Sequence, residues 1–324
     1  MKLHSIITWR KFMHYPSYDL VYEWEDIFAQ EMQLPFHYEW EKGNNRYVRR
    51  IPILSRFGLP WSRAFMFEMV PTLHFRRYNT SRIIPCLIDF FLSDEELGLF
   101  QRAYRRNPLV LISSREVYEH LKDRHLKLNI AHFPLSISDR YVLDESVLKG
   151  KKYDLVLMGR QNPVLMEYLK KYVETHPDLY YVYRIHKNNQ FLYFTSRGES
   201  LGDVNTRFQY IDLMRKSRIG LYATPGIDAE EEGRGSNGYH QVTPRFLEYI
   251  ACGCQVLARY KKNADTDYFQ LDKICKSLDS YEEFESAMNA VRNTQVDLEQ
   301  YRSYLSKHRT SVRVRLLKDL ISKI

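Results

Sequence analysis

Cysteine is scarce. The chain of 324 residues holds four, Cys86, Cys252, Cys254 and Cys275, and no repeated CxxC spacing. That excludes a zinc ribbon and a disulfide-stapled scaffold. Cys252 and Cys254 are separated by one residue, which is poor disulfide geometry, so the thiols read as reduced, the state of a cytoplasmic protein. Long apolar runs are missing too. The first twelve residues contain no apolar core of a signal peptide, and no stretch approaches the roughly 20 residues of a membrane span. The expectation is a soluble cytoplasmic chain, peripheral at most to the inner face of a membrane. There is no internal repeat and no low-complexity tract. There is also no HExxH, no P-loop and no ordered Ser/His/Asp set, and no cofactor is expected. Acidic residues are outnumbered, 40 against 48 Lys and Arg, for a net charge of +8. A basic balance favours an anionic partner: a nucleoside diphosphate, an anionic membrane surface or nucleic acid. The basic residues come as doublets, Arg49-Arg50, Arg76-Arg77, Arg105-Arg106 and Lys151-Lys152, most of which read as solvated faces. Without a long basic run or an aromatic-basic motif, nucleic acid is not expected.

What is present is enough apolar material, 44% of residues, for two cores. Short apolar runs alternate with helical spacing. Strands are expected over 5–9, 65–69, 83–91, 109–113 and 128–133, with helices over 19–32, from Ser93 with its Glu96 capping box, and over 116–125. After a break at 134–150 the pattern restarts: a strand over 153–158, a helix over 163–174, strands over 179–183 and 191–195, a helix over 208–218 and a strand over 219–223. A polar loop, 224–241, follows; then a helix from Thr243, a strand over 255–258, a capped helix from Ser280 and an amphipathic helix over 311–324. This order argues for α/β architecture: two doubly wound parallel sheets in tandem, residues 1–148 and 149–310, with helix 311–324 packing back on the first.

Thr243–Gly253 is the most strongly specified stretch. Thr243 suits an N-cap through its hydroxyl, Pro244 suits the first helical position, and Gly253 suits the stop. Phe246, Leu247, Ile250 and Ala251 make a buried face, which leaves Arg245 and Glu248 exposed one turn apart. They read either as a ligand-holding pair or as a surface ion pair. In open α/β sheets ligands sit at the carboxyl ends of strands, where Gly159-Arg160 also falls: strand end, then helix start. Arg160 reads as a phosphate contact or as a helix-start arginine paired to a neighbour. Asp89 closes the strongest strand of the first half and could act as a base, position a ligand group, or cap a turn. His74 and Ser113-Ser114 are weaker candidates.

Arg245, Glu248 and Ala251-Cys252-Gly253, followed by an apolar strand, resemble the donor-binding helix of GT-B glycosyltransferases, in the family-4-like and CgeB-like branch. The resemblance spans roughly residues 80–290; the first 80 lack the glycine-rich turn many members carry. It implies a GT-B fold and transfer of a sugar from a nucleotide-sugar donor to a polysaccharide or lipid-linked glycan, with retention and without a metal. It implies that Glu248 binds the ribose hydroxyls and Arg160 the phosphate. Members often add a lysine after that arginine; here 161–166 has none, which leaves Arg245 as the second cation. Members also place a Glu against the sugar eight positions before the ribose Glu. Here that position is His240, and Asp228, Glu230, Glu231 or Glu232 could serve instead. The nucleotide-sugar set is therefore Gly159, Arg160, His240, Thr243, Arg245 and Glu248, with Asp89 as the catalytic candidate. Two other readings stay open: a nucleotide-sugar epimerase on the same scaffold, and a non-catalytic binder of an anionic surface or nucleic acid.

Overall fold

A computed structural model describes residues 2–11, 13–38, 63–73, 80–187, 190–228 and 237–324. The chain divides into two compact units, Met1–Asp139 with Arg309–Ile324, and Arg140–His308.

The first unit contains β1 (Leu3–Thr8), α1 (Pro16–Met32), β2 (Phe36–Tyr38), β3 (Arg63–Glu68), β4 (Ile83–Leu87), α2 (Leu97–Tyr104), β5 (Val110–Ile112), α3 (Arg115–Asp123) and β6 (Ile130–His132). Its six strands pair in the order β2-β1-β3-β4-β5-β6, all parallel. Parallel strands are covered on both faces, so they read as unbroken apolar runs. Ile83 to Leu87 is buried throughout, and Ile7, Ala64, Met66 and Ile83 form one core cluster. Trp24 and Phe28 of α1 lie on β3, with Phe28 stacked on Phe65 at 5.2 Å. The Ser93–Glu96 capping box forms, on a short 3-10 turn that leads into α2.

The second unit contains β7 (Tyr153–Val156), α4 (Pro163–Thr175), β8 (Tyr181–Lys187), β9 (Gln190–Thr195), β10 (Ser200–Asp203), α5 (Arg207–Arg215), β11 (Ser217–Ala223), α6 (Pro244–Ala251), β12 (Gln255–Arg259), α7 (Ala264–Phe269), α8 (Tyr281–Val291) and α9 (Leu298–Ser306). Strand order is β10-β9-β8-β7-β11-β12. The expectation of a purely parallel sheet is corrected here: β9 and β10 run antiparallel. A two-residue connection between β8 and β9 leaves no room for a crossover helix, so the chain folds back as a hairpin. Leu155, Leu157, Ile219, Leu221 and Leu257 pack under α4 and α8. Tyr249 of α6 lies on the opposite side, close enough that a Cβ on Gly220 of β11 would enter its ring.

The last helix, α10 (Thr310–Ser322), belongs to the first unit. Val314 and Leu317 are fully buried. The Arg313 guanidinium donates to the carbonyls of Pro134 at 2.9 Å and Leu135 at 3.2 Å, and Lys318 Nζ to that of Glu31 at 3.1 Å. No helix among the described residues is long and apolar enough to cross a membrane.

Candidate anion site in the second unit

The turn after β7 is shaped by Gly159. Its φ is +67°, a left-handed value that side chains disfavour, and a Cβ there would collide with the Arg245 guanidinium. Glycine is therefore required twice, for the turn and for the arginine that lies on it. Gln161 Nε2 donates to the Met158 carbonyl at 2.8 Å and fixes the turn. Asn162 then caps α4 by accepting from Leu165 N–H at 3.0 Å. Arg160 stands exposed just before that cap.

Helix α6 supplies the second half. Its end follows the expectation: Gly253 N–H donates to the Ile250 carbonyl at 3.0 Å and Cys254 N–H to that of Tyr249 at 2.9 Å, with Gly253 at φ +66°, the paired bonds of a Schellman motif. Its start corrects the expectation. Thr243 holds the N-cap position without a side-chain capping bond. Instead its N–H donates to Tyr222 Oη at 3.0 Å, and its hydroxyl is engaged by the same phenol. With Pro244 next and no side-chain cap, the positive end of α6 stays uncompensated from within.

Arg245 and Glu248 do not share one exposed surface, which is the second correction. Arg245 is partly buried; its Nη1 donates to the Arg160 carbonyl at 3.3 Å, and its guanidinium is hydrogen-bonded to Tyr210 of α5. Burial opposes its charge, but the Tyr210 and Tyr249 hydroxyls and Glu248 outweigh it and hold the guanidinium above its ordinary range. Glu248 is 3% exposed, and its Oε1 is 2.6 Å from Nη2 of Arg207 at the start of α5. The helix turns Glu248 inward because the apolar stripe wraps further round α6 than the spacing implied: every residue from Phe246 to Ala251 is buried.

Arg207, Tyr210, Arg184 and Tyr193 complete the group, and sequence pattern alone passes over all four. Tyr193 of β9 is hydrogen-bonded to the Gly159 backbone, and burial pushes its phenol up to about 12. Arg184 of β8 lies electrostatically close to Arg245 and Arg160. A Thr206–Gln209 capping box marks the start of α5 and could have located Arg207. Period-two reading of β8 could have placed Arg184 beside Val182. The arrangement concentrates positive charge at a strand end and a helix start, which is the chemistry of an anion site.

The remaining candidates divide. His240 Nδ1 lies 3.1 Å from the Pro225 carbonyl, in the loop that precedes α6. Asp228 is held at both oxygens: Arg259 donates to them at 2.5 and 2.9 Å, and Asn162 Nδ2 adds a bond at 3.0 Å. That network pins the loop to the sheet. Glu230, Glu231, Glu232 and His74 lie outside the described residues. In the first unit, Asp89 follows β4 by two residues, and its N–H donates to the Met69 carbonyl at 2.7 Å. Burial pushes its carboxyl up to about 6, into the range of a base that works near neutrality. Ser113 and Ser114 order turns: Ser113 Oγ donates to the Ile88 carbonyl at 2.5 Å, and Ser114 caps α3. No cluster of His, Cys, Asp or Glu among the described residues could hold a metal ion.

Residues 169–319 match the profile of glycosyl transferase-like proteins. No curated protein sequence matches the chain. Among solved structures, an α,α-trehalose-phosphate synthase (UDP-forming) from Burkholderia vietnamiensis aligns with a TM-score of 0.50 at 10% identity, over 95% of this chain and 83% of that one. The E. coli trehalose-6-phosphate structure bound with UDP-2-fluoro glucose gives 0.47 at 10% identity, over 81% and 74%. The glycotransferase of kitacinnamycin gives 0.43 at 11% identity, over 98% and 99%. The Burkholderia structure carries the likeness, and it concerns the fold.

Proposed function

We propose that this chain, a glycosyltransferase of the GT-B fold, binds the diphosphate of a nucleotide-sugar donor in its second unit, at Gly159, Arg160 and Arg245. The observation that supports this most directly is the Arg245 guanidinium lying on Gly159 and bonded to the Arg160 carbonyl. The Arg245 guanidinium thus lies against the backbone of the turn, between β7 and α4, that also carries Arg160. When the bond between the anomeric carbon and the phosphate oxygen breaks, negative charge grows on that oxygen. Prearranged guanidinium groups stabilise it, and such stabilisation is the main source of rate enhancement in many transfers of this kind. The anomeric carbon then bonds to the acceptor oxygen. In the first unit, Asp89, ionised above about pH 6, is the group that receives or orients the acceptor proton. The acceptor in this reading is a polysaccharide or lipid-linked glycan, with peripheral contact at an anionic membrane through the net charge of +8. His240 and Thr243 frame the same side of the donor from the loop and the helix start.

Glu248 takes a different place from the one its motif implied. Paired to Arg207 and buried, it serves as counter-charge within the arginine group rather than as an open ribose contact. The profile match is to transferases, which favours transfer over epimerisation of the same donor.

The test is a thermal-shift panel of UDP, GDP, ADP, CMP and their sugar conjugates on the wild type and on Arg245→Ala. A nucleotide at about 100 times its dissociation constant adds roughly 2.7 kcal/mol of stability. One nucleoside diphosphate should stabilise the wild type and lose most of that effect in Arg245→Ala. If no nucleotide moves the melting curve of the wild type, the donor-site reading is abandoned.

A further inference from the structure

We propose that Arg184, carried on the β8–β9 hairpin, is a further phosphate-binding residue of this site and makes it select diphosphates over monophosphates. The inference rests on the donor reading above. Strand β8 pairs in parallel with β7 through Leu155↔Tyr181 and Val156↔Val182. There β7 stops, but β8 continues to Lys187. Arg184 therefore lies on the part of β8 that overhangs the carboxyl edge of the sheet, where Gly159 and Arg160 emerge. Arg184 stands directly opposite Tyr193 on β9, and opposite residues of an antiparallel pair project to the same face. Tyr193 on that face reaches the Gly159 backbone, so Arg184 shares the face that meets this turn and lies within the field of Arg160 and Arg245.

The charge balance at Arg184 points to a ligand. Its guanidinium rests 4.2 Å from the centroid of Phe191, a cation–π contact that fixes direction without neutralising charge. No described carboxylate forms an ion pair with Arg184, Arg160 or Arg245; the nearby Glu248 is bound to Arg207. Burial chiefly disfavours the Arg184 charge; the Tyr193 and Tyr210 hydroxyls support it, and the fields of Arg245 and Arg160 oppose it. Gathering like charges costs free energy, and a bound polyanion relieves it. A diphosphate offers a second phosphate that a monophosphate lacks. Lysine is absent from 161–166, so the hairpin brings a cation to this turn that the α4 segment does not provide.

Isothermal titration calorimetry of nucleoside diphosphates and the matching monophosphates on wild type, Arg184→Ala and Arg184→Gln tests this, with circular dichroism confirming the fold of each variant. Both variants should weaken diphosphate binding tenfold or more and monophosphate binding less than threefold. Diphosphate affinity within twofold of wild type would overturn the role of Arg184 and leave Arg245 and Arg160 as the site. Equal weakening of both ligands would also overturn it, because a general structural loss does not sense the second phosphate. A wild type that binds no nucleotide removes the donor reading itself, and this inference with it.

Discussion

Asp89 and Glu248 are two carboxylates with opposite environments. The first has its carboxyl raised by burial alone, from 3.8 to about 6. Raised in the folded state, it keeps its proton longer than in the unfolded chain. Folded stability therefore falls as pH rises from about 4 to about 6, and levels off above that. In its proposed role as base the dependence runs the other way: a base must be ionised, so transfer should rise with pH through about 6. Asp89→Asn is expected to remove that acidic limb from the kcat/KM profile and to lower the rate on the order of a hundredfold. An unchanged profile would exclude Asp89 as the base. Glu248 instead neutralises a buried arginine 2.6 Å away. Glu248→Gln strands that charge, which costs about 3–5 kcal/mol, so the melting temperature should drop sharply. An exposed ribose contact would lose nucleotide affinity with the melting temperature kept, and a chemical-denaturation curve separates the two. The carboxylate was legible in the sequence; its partner was not, because Arg207 lies far back along the chain and joins it only when α5 and α6 pack side by side.

At the scale of elements, capping chemistry was the most readable feature. Ser93–Glu96, Ser280 and the Gly253 stop form as local rules require, and Ser114, read only as a weak site candidate, caps α3. Thr243 did not, because a tertiary partner, Tyr222, captured its groups. The hairpin β8–β9–β10 was half read: Leu179–Tyr183 was expected as the strand, whereas β8 runs from Tyr181 to Lys187 and β10 was missed. Its polar and aromatic alternation belongs to an edge ribbon, not to the buried parallel runs on which the expectation was built. The β7–α4 turn gives a prediction at this scale. Gly159→Ala must hold a left-handed backbone, at about 1–2 kcal/mol, and must push the Arg245 guanidinium aside. A modest fall in melting temperature is expected, with at least a tenfold loss of nucleoside diphosphate affinity in calorimetry. Unaltered affinity would mean that Arg245 reaches its ligand from elsewhere.

At the scale of the whole molecule, chain order and unit composition differ. Helix α10 comes last yet completes the first unit. It buries Val314 and Leu317 completely and Ile321 nearly so, each worth about 1.5–3 kcal/mol, and satisfies the carbonyls of Pro134 and Leu135 through Arg313. Ending the chain at His308 should make residues 1–139 susceptible to limited proteolysis while the second unit, Arg140–His308, keeps its protection and the nucleotide binding proposed for it. Equal resistance in both units would show that α10 is dispensable.

By itself the sequence determined the α/β class, the two-sheet plan and the helix start that carries Pro244, because apolar periodicity and end-capping act over a few neighbouring residues. It also determined that the thiols stand apart, and all four are free. Only tertiary structure decided which charges meet. Arg184, Arg207 and Arg245 come from three separate elements, and Glu248 turned inward because packing of α6 against the sheet and α9 buries nearly its whole circumference. Electrostatic partners are chosen by distance in space, and a linear chain carries no record of that until its elements are packed.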